Sequence, residues 1–364
     1  MAQYVKRGKG WQARIQWRDS FGKRHTKSKA GFATKTLAKK WAVDNESQLN
    51  KGVSIDKSIS LYDYFVHWVD TYKRPKLSQI SIDRYDSLGK LIYAYFGNTA
   101  INQISRSNYQ NFINQYGKNH APSSVQKTNG FIRACVNSAI LDDYLIKDFT
   151  QSVTLTADDS RVVKVEYLSL DEIQRLIKSI INGRHYGYTS RYMILTAIYT
   201  GMRKEEIQAL TWKDIDFKNG SINISKAYDE KLHQFKPTKT SESVRKIAVN
   251  AELLKYLKEL QVHSKSTMIF MDQFGTIPTS TALNRTLRKL LQDINVHKEG
   301  FHFHSLRHSH VALLLSQGID IYAISKRLGH SNITTTTNTY AYLLDEYKYR
   351  MDKKIIKALS TIQS

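Results

Sequence analysis

The sequence predicts a multidomain α+β chain: a small N-terminal sheet with a helix, a four-helix segment, and a larger, mainly α C-terminal part carrying a small β-sheet. Three observations predict it. The chain has 364 residues, more than one hydrophobic core usually organises at roughly 150 residues per domain. Its hydrophobic period changes from alternating to helical near residue 60. A polar stretch without period, Thr154-Leu-Thr-Ala-Asp-Asp-Ser-Arg161, then reads as a linker. The expected parts are 1–57, 58–158 and 159–364.

Composition bounds the rest. At 41% hydrophobic and 11% aromatic, with only 4 Pro, the chain has matter for real cores, which excludes wholesale disorder. Its 55 Lys and Arg against 32 Asp and Glu leave a formal charge of +23, which attracts a polyanion, so nucleic acid leads the partners. Charge alone also fits a ribosome-associated protein or a merely solvating surface. Cys135 is the only cysteine, so neither an intramolecular disulfide nor a thiolate metal cluster can form, as suits a reducing cytosol. The N-terminus lacks the apolar core of a signal peptide, and no run reaches the roughly 18 apolar residues of a membrane span. A soluble, cytoplasmic protein without membrane partners is expected. There is no internal repeat and no glycine-rich phosphate loop.

Residues 1–57 hold 14 Lys or Arg against 4 Asp or Glu, together with Trp11, Trp17 and Phe21. Trp11-Gln-Ala-Arg-Ile-Gln-Trp17 alternates as a strand does, Asp19 to Gly22 reads as a turn, and a helical pattern runs from Thr34 through Leu49. From Ser60, Leu61, Phe65, Trp68 and Tyr72 fall near helical spacing, with Ser60 and Asp63 as an N-terminal cap. Further helices are expected over Ile82 to Ile92, after Ser105 through Tyr116, and from Ser123 through Ile140, with breaks at Gly97-Asn98 and Ala121-Pro122. Their aromatic residues read as core rather than as stacking platforms.

Chemistry concentrates in the third part. After the apolar run Tyr192 to Tyr199, Gly201 breaks one helix and lets another start. Arg203 and Glu206 then share a face near a helix N-terminus, where an anion is favoured. An isolated Arg-x-x-Glu is usually a surface ion pair. Ser221 to Ser225 alternates after the Asn219-Gly220 turn, Val244 to Val249 is a partner strand, and Lys239 falls near the loop tip between them. Farther on come His304-Ser-Leu-Arg307-His308, the helical Val311 to Leu315, a stop at Gly318, Leu328-Gly-His330, and Tyr340. His304 and Arg307 are three apart on one face, and Gly329 lets the chain turn so that His330 points back. Taken singly, each of these is more often structural; Tyr340 is one of 22 tyrosines.

As an ordered set, Arg203, Glu206, Lys239, His304-x-x-Arg307, Leu-Gly-His330 and Tyr340 resemble the signature of the tyrosine recombinases, of the phage and integrative-element integrase kind. The resemblance covers about 165 to 350, and the two upstream segments look like arm-binding and core-binding DNA domains. It implies an arm-type domain at 1–57, a helical core-binding domain at 58–158, and a catalytic domain at 159–364 with a C-terminal docking tail. The ending Asn338-Thr-Tyr340-Ala-Tyr342 departs from the commoner Thr-Tyr-Ser-His, which makes Tyr342 the competitor of Tyr340. The ten residues from His330 to Tyr340 match one of the family's spacings.

The resemblance implies a site-specific integrase that cleaves and rejoins DNA through a 3′-phosphotyrosine, integrating or excising a phage or mobile element. Arg203 and Arg307 suit the nonbridging phosphate oxygens because each planar fork donates two hydrogen bonds. A free tyrosine, with a pKa of about 10, needs a base. By resemblance His304 is that base, Lys239 the general acid for the 5′ oxygen, His330 a hydrogen-bonding partner of the phosphate or leaving group, and Glu206 an orienting residue. No cofactor and no metal are expected. The implied partners are double-stranded attachment-site DNA and a homotetramer on it, with an excisionase and a DNA-bending host factor as accessories. Two rival readings stand beside this one: a type IB topoisomerase-like nicking and resealing enzyme, and a noncatalytic DNA-binding regulator.

Overall fold

The computed structural model describes residues 2–18, 24–50, 59–162, 165–238, 240–334, 336–337, 339–340, 356 and 359–360. The turn expected at Asp19 to Gly22, Lys239, Tyr342 and most of the expected C-terminal tail lie outside the described residues. The chain divides into two compact units, Met1–Val162 and Val163–Ser364. Among the described residues no helix is long and apolar enough to cross a membrane.

The first unit opens with an antiparallel sheet of β1 (Gln3–Arg7), β2 (Gly10–Arg18) and β3 (Arg24–Phe32), in the order β1-β2-β3, followed by α1 (Lys35–Asn50). Alternation along β2 sends Ala13 and Ile15 inward and leaves Arg14 exposed. Ala38 and Ala42, four apart on α1, meet them. Alanines on both sides let helix and sheet approach closely, while Trp11, Trp17 and Trp41 close the rim of this small core.

Four helices follow: α2 (Leu61–Trp68), α3 (Gln79–Phe96), α4 (Arg106–Gly117) and α5 (Pro122–Leu141). Their ends lie where the sequence punctuates them. The Ser60 hydroxyl accepts from the Asp63 backbone N–H at 3.0 Å, Ser105 and Asn108 form a reciprocal capping box, and Pro122 occupies the first turn of α5, where no N–H is missed. Tyr64, Phe65, Tyr109 and Phe112 are buried in the shared core. The buried phenols keep partners, Tyr64 donating to Asp142 at 2.6 Å and Tyr109 to Asn129 at 2.9 Å.

The aperiodic stretch after these helices is docked rather than loose. Gln110 on α4 exchanges two 2.8 Å hydrogen bonds with the Thr154 backbone, and the Asp158 N–H donates to the His120 carbonyl at 3.0 Å. Its polar residues are spent on the helical bundle, which is why no period shows in them. The approach is so close that a Cβ on Gly117 would lie 2.0 Å from the Thr156 carbonyl oxygen.

In the second unit, α6 (Leu170–Asn182) starts at a Ser169/Glu172 capping box. It is followed by α7 (Ser190–Thr200), where consecutive residues Tyr192 to Leu195, then Ala197 and Ile198, are all buried. A helix apolar on every side belongs at the centre, and α7 packs against α6, α9 (Ala251–His263), α10 (Ser280–Asp293) and α11 (Ser305–Ser316). The short α8 (Lys204–Gln208) follows α7 directly, and α12 (Ile321–Leu328) follows α11. Strands β4 (Ile215–Asp216), β5 (Ser221–Ile224) and β8 (Arg245–Ala248) form one antiparallel sheet. The expected pairing of β5 with the Val244 to Val249 segment is present, in the register Ser221 to Ala248 and Ile224 to Arg245. Between these strands, where sequence analysis expects a loop, the chain builds a second hairpin from β6 (Lys226–Asp229) and β7 (Gln234–Pro237). Its strands are four residues long and largely polar, held by ion pairs such as Lys236 to Asp229 at 3.0 Å and Lys226 to Asp214 at 2.6 Å, so hydrophobic alternation hardly marks them.

Gly117→Ala is expected to destabilise the first unit by about 1–3 kcal/mol or more, because backbone rather than a flexible side chain blocks the added methyl. Gly130→Ala, in open space on α5, is expected to stabilise by about 0.5–1 kcal/mol. Urea denaturation of both variants followed by circular dichroism measures the contrast.

Candidate active site

Gly201 ends α7 in the left-handed conformation, and the chain re-enters helix at Arg203, the N-cap of α8. Glu206 stands at the third helical position and reaches back to it. Its carboxylate accepts from the Arg203 backbone N–H at 3.0 Å and from Arg203 Nη1 at 2.8 Å. A second guanidinium completes the arrangement: Arg245 on β8 donates from Nη1 and Nη2 to the same carboxylate at 3.1 and 2.9 Å. Glu206 is only 3% exposed. Burial would raise its pKa, but the hydrogen bonds and charge of Arg245, followed by Arg203, outweigh that and hold it below the ordinary carboxylate value.

Arg307 lies on α11, itself 3% exposed. Its Nη1 donates to the Gly201 carbonyl at 2.7 Å and its Nη2 to the Leu328 carbonyl at 2.9 Å, so one side chain ties the end of α7 to the end of α12. Burial, then the charge of Arg203, lowers its pKa to about 9, which leaves it cationic at neutral pH. Arg307 Nη2 also lies 2.8 Å from His330 Nε2. A guanidinium has only donors, so His330 Nε2 accepts and its proton sits on Nδ1, which donates to Thr336 Oγ1 at 2.6 Å. Thr336 is fully buried. Gly329, left-handed at φ +70, makes this turn, and a Cβ there would lie 2.9 Å from Arg245 Nη1. Arg203 Nη2 reaches the Gly329 carbonyl at 3.4 Å.

Counting donors separates the arginines. Of five guanidinium N–H groups, Arg245 spends one on the Arg327 carbonyl, one on Ser243 and two on Glu206. Arg307 spends three, on Gly201, Leu328 and His330, and Arg203 spends two, on Glu206 and Gly329. Among the described residues, Arg203 and Arg307 therefore have N–H groups that no acceptor engages, whereas Arg245 is nearly saturated and braces the others.

The histidines and the tyrosine complete the site. His304 is the N-cap of α11, and burial, then Arg307 and His302, lower its pKa to about 4. Tyr340 is 2% exposed, packed against Val311, Leu315, Ile324 and Leu328. Its hydroxyl lies 2.7 Å from His308 Nδ1. The structure thus joins Arg203 to Glu206 and Arg307 to His330 by hydrogen bonds, the two pairs meeting at the Leu328–His330 backbone, and brings both arginines near His304; Lys239 is outside the described residues. Sequence reasoning gave no role to Arg245, His308 or Thr336. Alternation offered a sign of the first, since Arg245 shares a strand face with the buried Ile247; nothing in the sequence distinguishes Thr336 from its threonine neighbours.

His304, His308, His310 and His330 all have pKa values lowered to about 4, burial being the largest cause each time. The unfolded chain takes up these protons near pH 6.5, before the folded chain does. Their contribution to stability is full above about pH 6.5 and falls as pH drops toward 4. Urea midpoints of the second unit are expected to fall between pH 6.5 and 5, above the carboxylate range, and His310→Gln to flatten that slope.

Residues 166–346 match the phage integrase family, residues 2–49 an arm DNA-binding domain, and residues 60–117 the phage integrase N-terminal SAM-like domain. The integrase of Staphylococcus phage L54a is 25% identical over 345 residues, covering 85% of this chain and 96% of that protein. Among solved structures, the Tn1549 transposon integrase in complex with a circular intermediate DNA aligns with TM-score 0.71 at 21% identity, over 81% of this chain and 100% of that one. A lambda integrase tetramer bound to a Holliday junction aligns with TM-score 0.58 at 16% identity, over 91% and 96%. These two structures share the fold. With an arm DNA-binding domain, a SAM-like domain and a phage integrase domain in that order, the chain belongs to the phage integrase family of site-specific tyrosine recombinases.

Proposed function

We propose that Arg203, Glu206, Lys239, His304, Arg307, His330 and Tyr340 carry the recombination chemistry on one DNA phosphate, with Tyr340 as nucleophile. The observation that supports this most is the convergence of two guanidiniums with unspent N–H groups, held by a buried carboxylate and by backbone carbonyls, in the unit that buries the Tyr340 ring. A phosphodiester resists nucleophiles because it is anionic, so catalysis requires donors that bind its nonbridging oxygens more strongly as charge accumulates. Arg203 and Arg307 are prefixed for that task, their other N–H groups being already engaged.

Tyr340 attacks phosphorus, the bond to the 5′ oxygen breaks, and a 3′-phosphotyrosine keeps the energy of the broken bond for rejoining. Lys239, our assignment for the leaving-group proton, follows the β6–β7 hairpin in sequence. The partners in this reading are double-stranded attachment-site DNA in the cytoplasm, a homotetramer on that DNA as in the lambda structure, and an excisionase and DNA-bending host factor as accessories. The charge of +23 favours the DNA partner.

The test is a nicked suicide duplex carrying the core site mapped from the junctions of the integrated element. A covalent adduct is expected with the intact chain and with Tyr342→Phe, and none with Tyr340→Phe; an adduct that survives Tyr340→Phe and vanishes in Tyr342→Phe moves the nucleophile to Tyr342. Arg245 acts through Glu206, so Arg245→Lys, which cannot make both bonds to the carboxylate, is expected to slow adduct formation about 10²-fold by misplacing Arg203. Gel retardation on the same duplex is expected to change little.

A further inference from the structure

The Tyr340 hydroxyl has a partner with no role in the assignments above. His308 Nδ1 lies 2.7 Å from it, with the two rings 5.5 Å apart and inclined at 60°. His304 instead meets His308 edge-on at 5.2 Å, and among the described residues no hydrogen bond joins His304 to Tyr340. Successive residues on a helix point about 100° apart. Arg307 therefore faces Gly201 and Leu328 while its neighbour His308 faces Tyr340, and one rigid turn of α11 fixes both. Burial, then His304 and Arg307, keep His308 neutral, with its pKa lowered to about 4, so one ring nitrogen carries a lone pair. In the tautomer with its proton on Nε2, His308 Nδ1 accepts from the Tyr340 hydroxyl.

We propose that His308, not His304, is the catalytic residue that holds the Tyr340 hydroxyl and takes its proton as Tyr340 attacks. This rests on the reading of Tyr340 as nucleophile. In the step, the Tyr340 Oη–H bond breaks and its proton passes to His308 Nδ1. The Oη–P bond forms, the bond from phosphorus to the 5′ oxygen breaks, and that oxygen takes a proton from the general acid. Rejoining reverses each transfer, His308 returning its proton to Tyr340. The substrate itself strengthens the base. A phosphate seated on Arg307 offsets that cation's share of the lowered pKa, which comes after burial and His304, and so raises the proton affinity of His308 when DNA binds.

The experiment compares single-turnover adduct formation on the nicked suicide duplex for the intact chain, His308→Ala, His308→Asn, His304→Ala and Tyr340→Phe. Each of the first four is also made with 3,5-difluorotyrosine at position 340, whose more acidic phenol needs less help from a base. His308→Ala is expected to slow adduct formation about 10²- to 10³-fold with unchanged gel retardation. His308→Asn, whose amide oxygen can accept the hydroxyl but holds no proton, is expected to recover part of that loss. Fluorination is expected to recover at least tenfold in both His308 variants and to change the intact chain and His304→Ala by less than threefold. The proposal is overturned if His308→Ala stays within threefold of the intact chain or exceeds it, or if it is slow and fluorination leaves it so. In either case, an adduct absent only from Tyr340→Phe keeps the nucleophile reading intact; an adduct persisting in Tyr340→Phe overturns both.

Discussion

A carboxylate almost out of contact with water stays ionised only where cations are hydrogen-bonded to it, and Glu206 has two. Arg203 approaches from its own helix and Arg245 from β8, so the carboxylate is the point where α8 and the small sheet are joined. Removing it would leave the buried Arg245 guanidinium facing the partly exposed one of Arg203, which costs more than the net worth of either ion pair. Two further contacts of the site follow from this anchor. With Arg203 fixed, the Gly329 carbonyl has a donor; with Arg245 fixed, its Nε holds the Arg327 carbonyl at 2.7 Å and so the last turn of α12.

The braces around this anchor are mostly arginine to backbone carbonyl. Arg307 spans Gly201 and Leu328, and Arg327 spans Ala248 and Tyr199 at 2.9 and 3.2 Å. At Tyr199, Gly201 and Leu328 such bonds satisfy carbonyls that helix ends leave orphaned while keeping positive charge at the site. The histidines obey the same economy of protons. Arg327 donates to His310 Nε2 at 3.1 Å, so the other ring nitrogen donates to the Ile198 carbonyl at 2.9 Å, as Arg307 dictates the tautomer of His330. Neutral imidazoles sit among cations here without adding to the repulsion.

Much of the architecture was legible because local chemistry marks it. Ser60, Ser105 and Pro122 announce helix starts, the alternation of β2 separates Ala13 and Ile15 from Arg14, and the β5 and β8 pairing follows from two alternating runs. The order of Arg203, Glu206, Arg307 and His330 was legible because their types and spacing belong to one chemistry. What stayed hidden has a common cause. Arg245, Thr336 and the β6–β7 hairpin are defined by partners remote in sequence or by polar pairs, and neither leaves a periodic trace. His308 stood in plain view beside Arg307, yet its direction on α11 decides its contact, and a histidine's direction is not written in its neighbours.

The bond from His330 to Thr336 makes the proton inventory of the site depend on a segment of chain. While Thr336 Oγ1 holds the Nδ1 proton, His330 offers Nε2 as a lone pair, and a phosphate oxygen, which has only lone pairs itself, gains nothing from it. Thr336 precedes Tyr340 by four residues, one helical turn. Any displacement of that turn that breaks the 2.6 Å contact leaves the Nδ1 proton without its acceptor, while Arg307 still holds Nε2 as an acceptor at 2.8 Å. The acceptor of the His330 proton and the proposed nucleophile thus stand four residues apart in the chain.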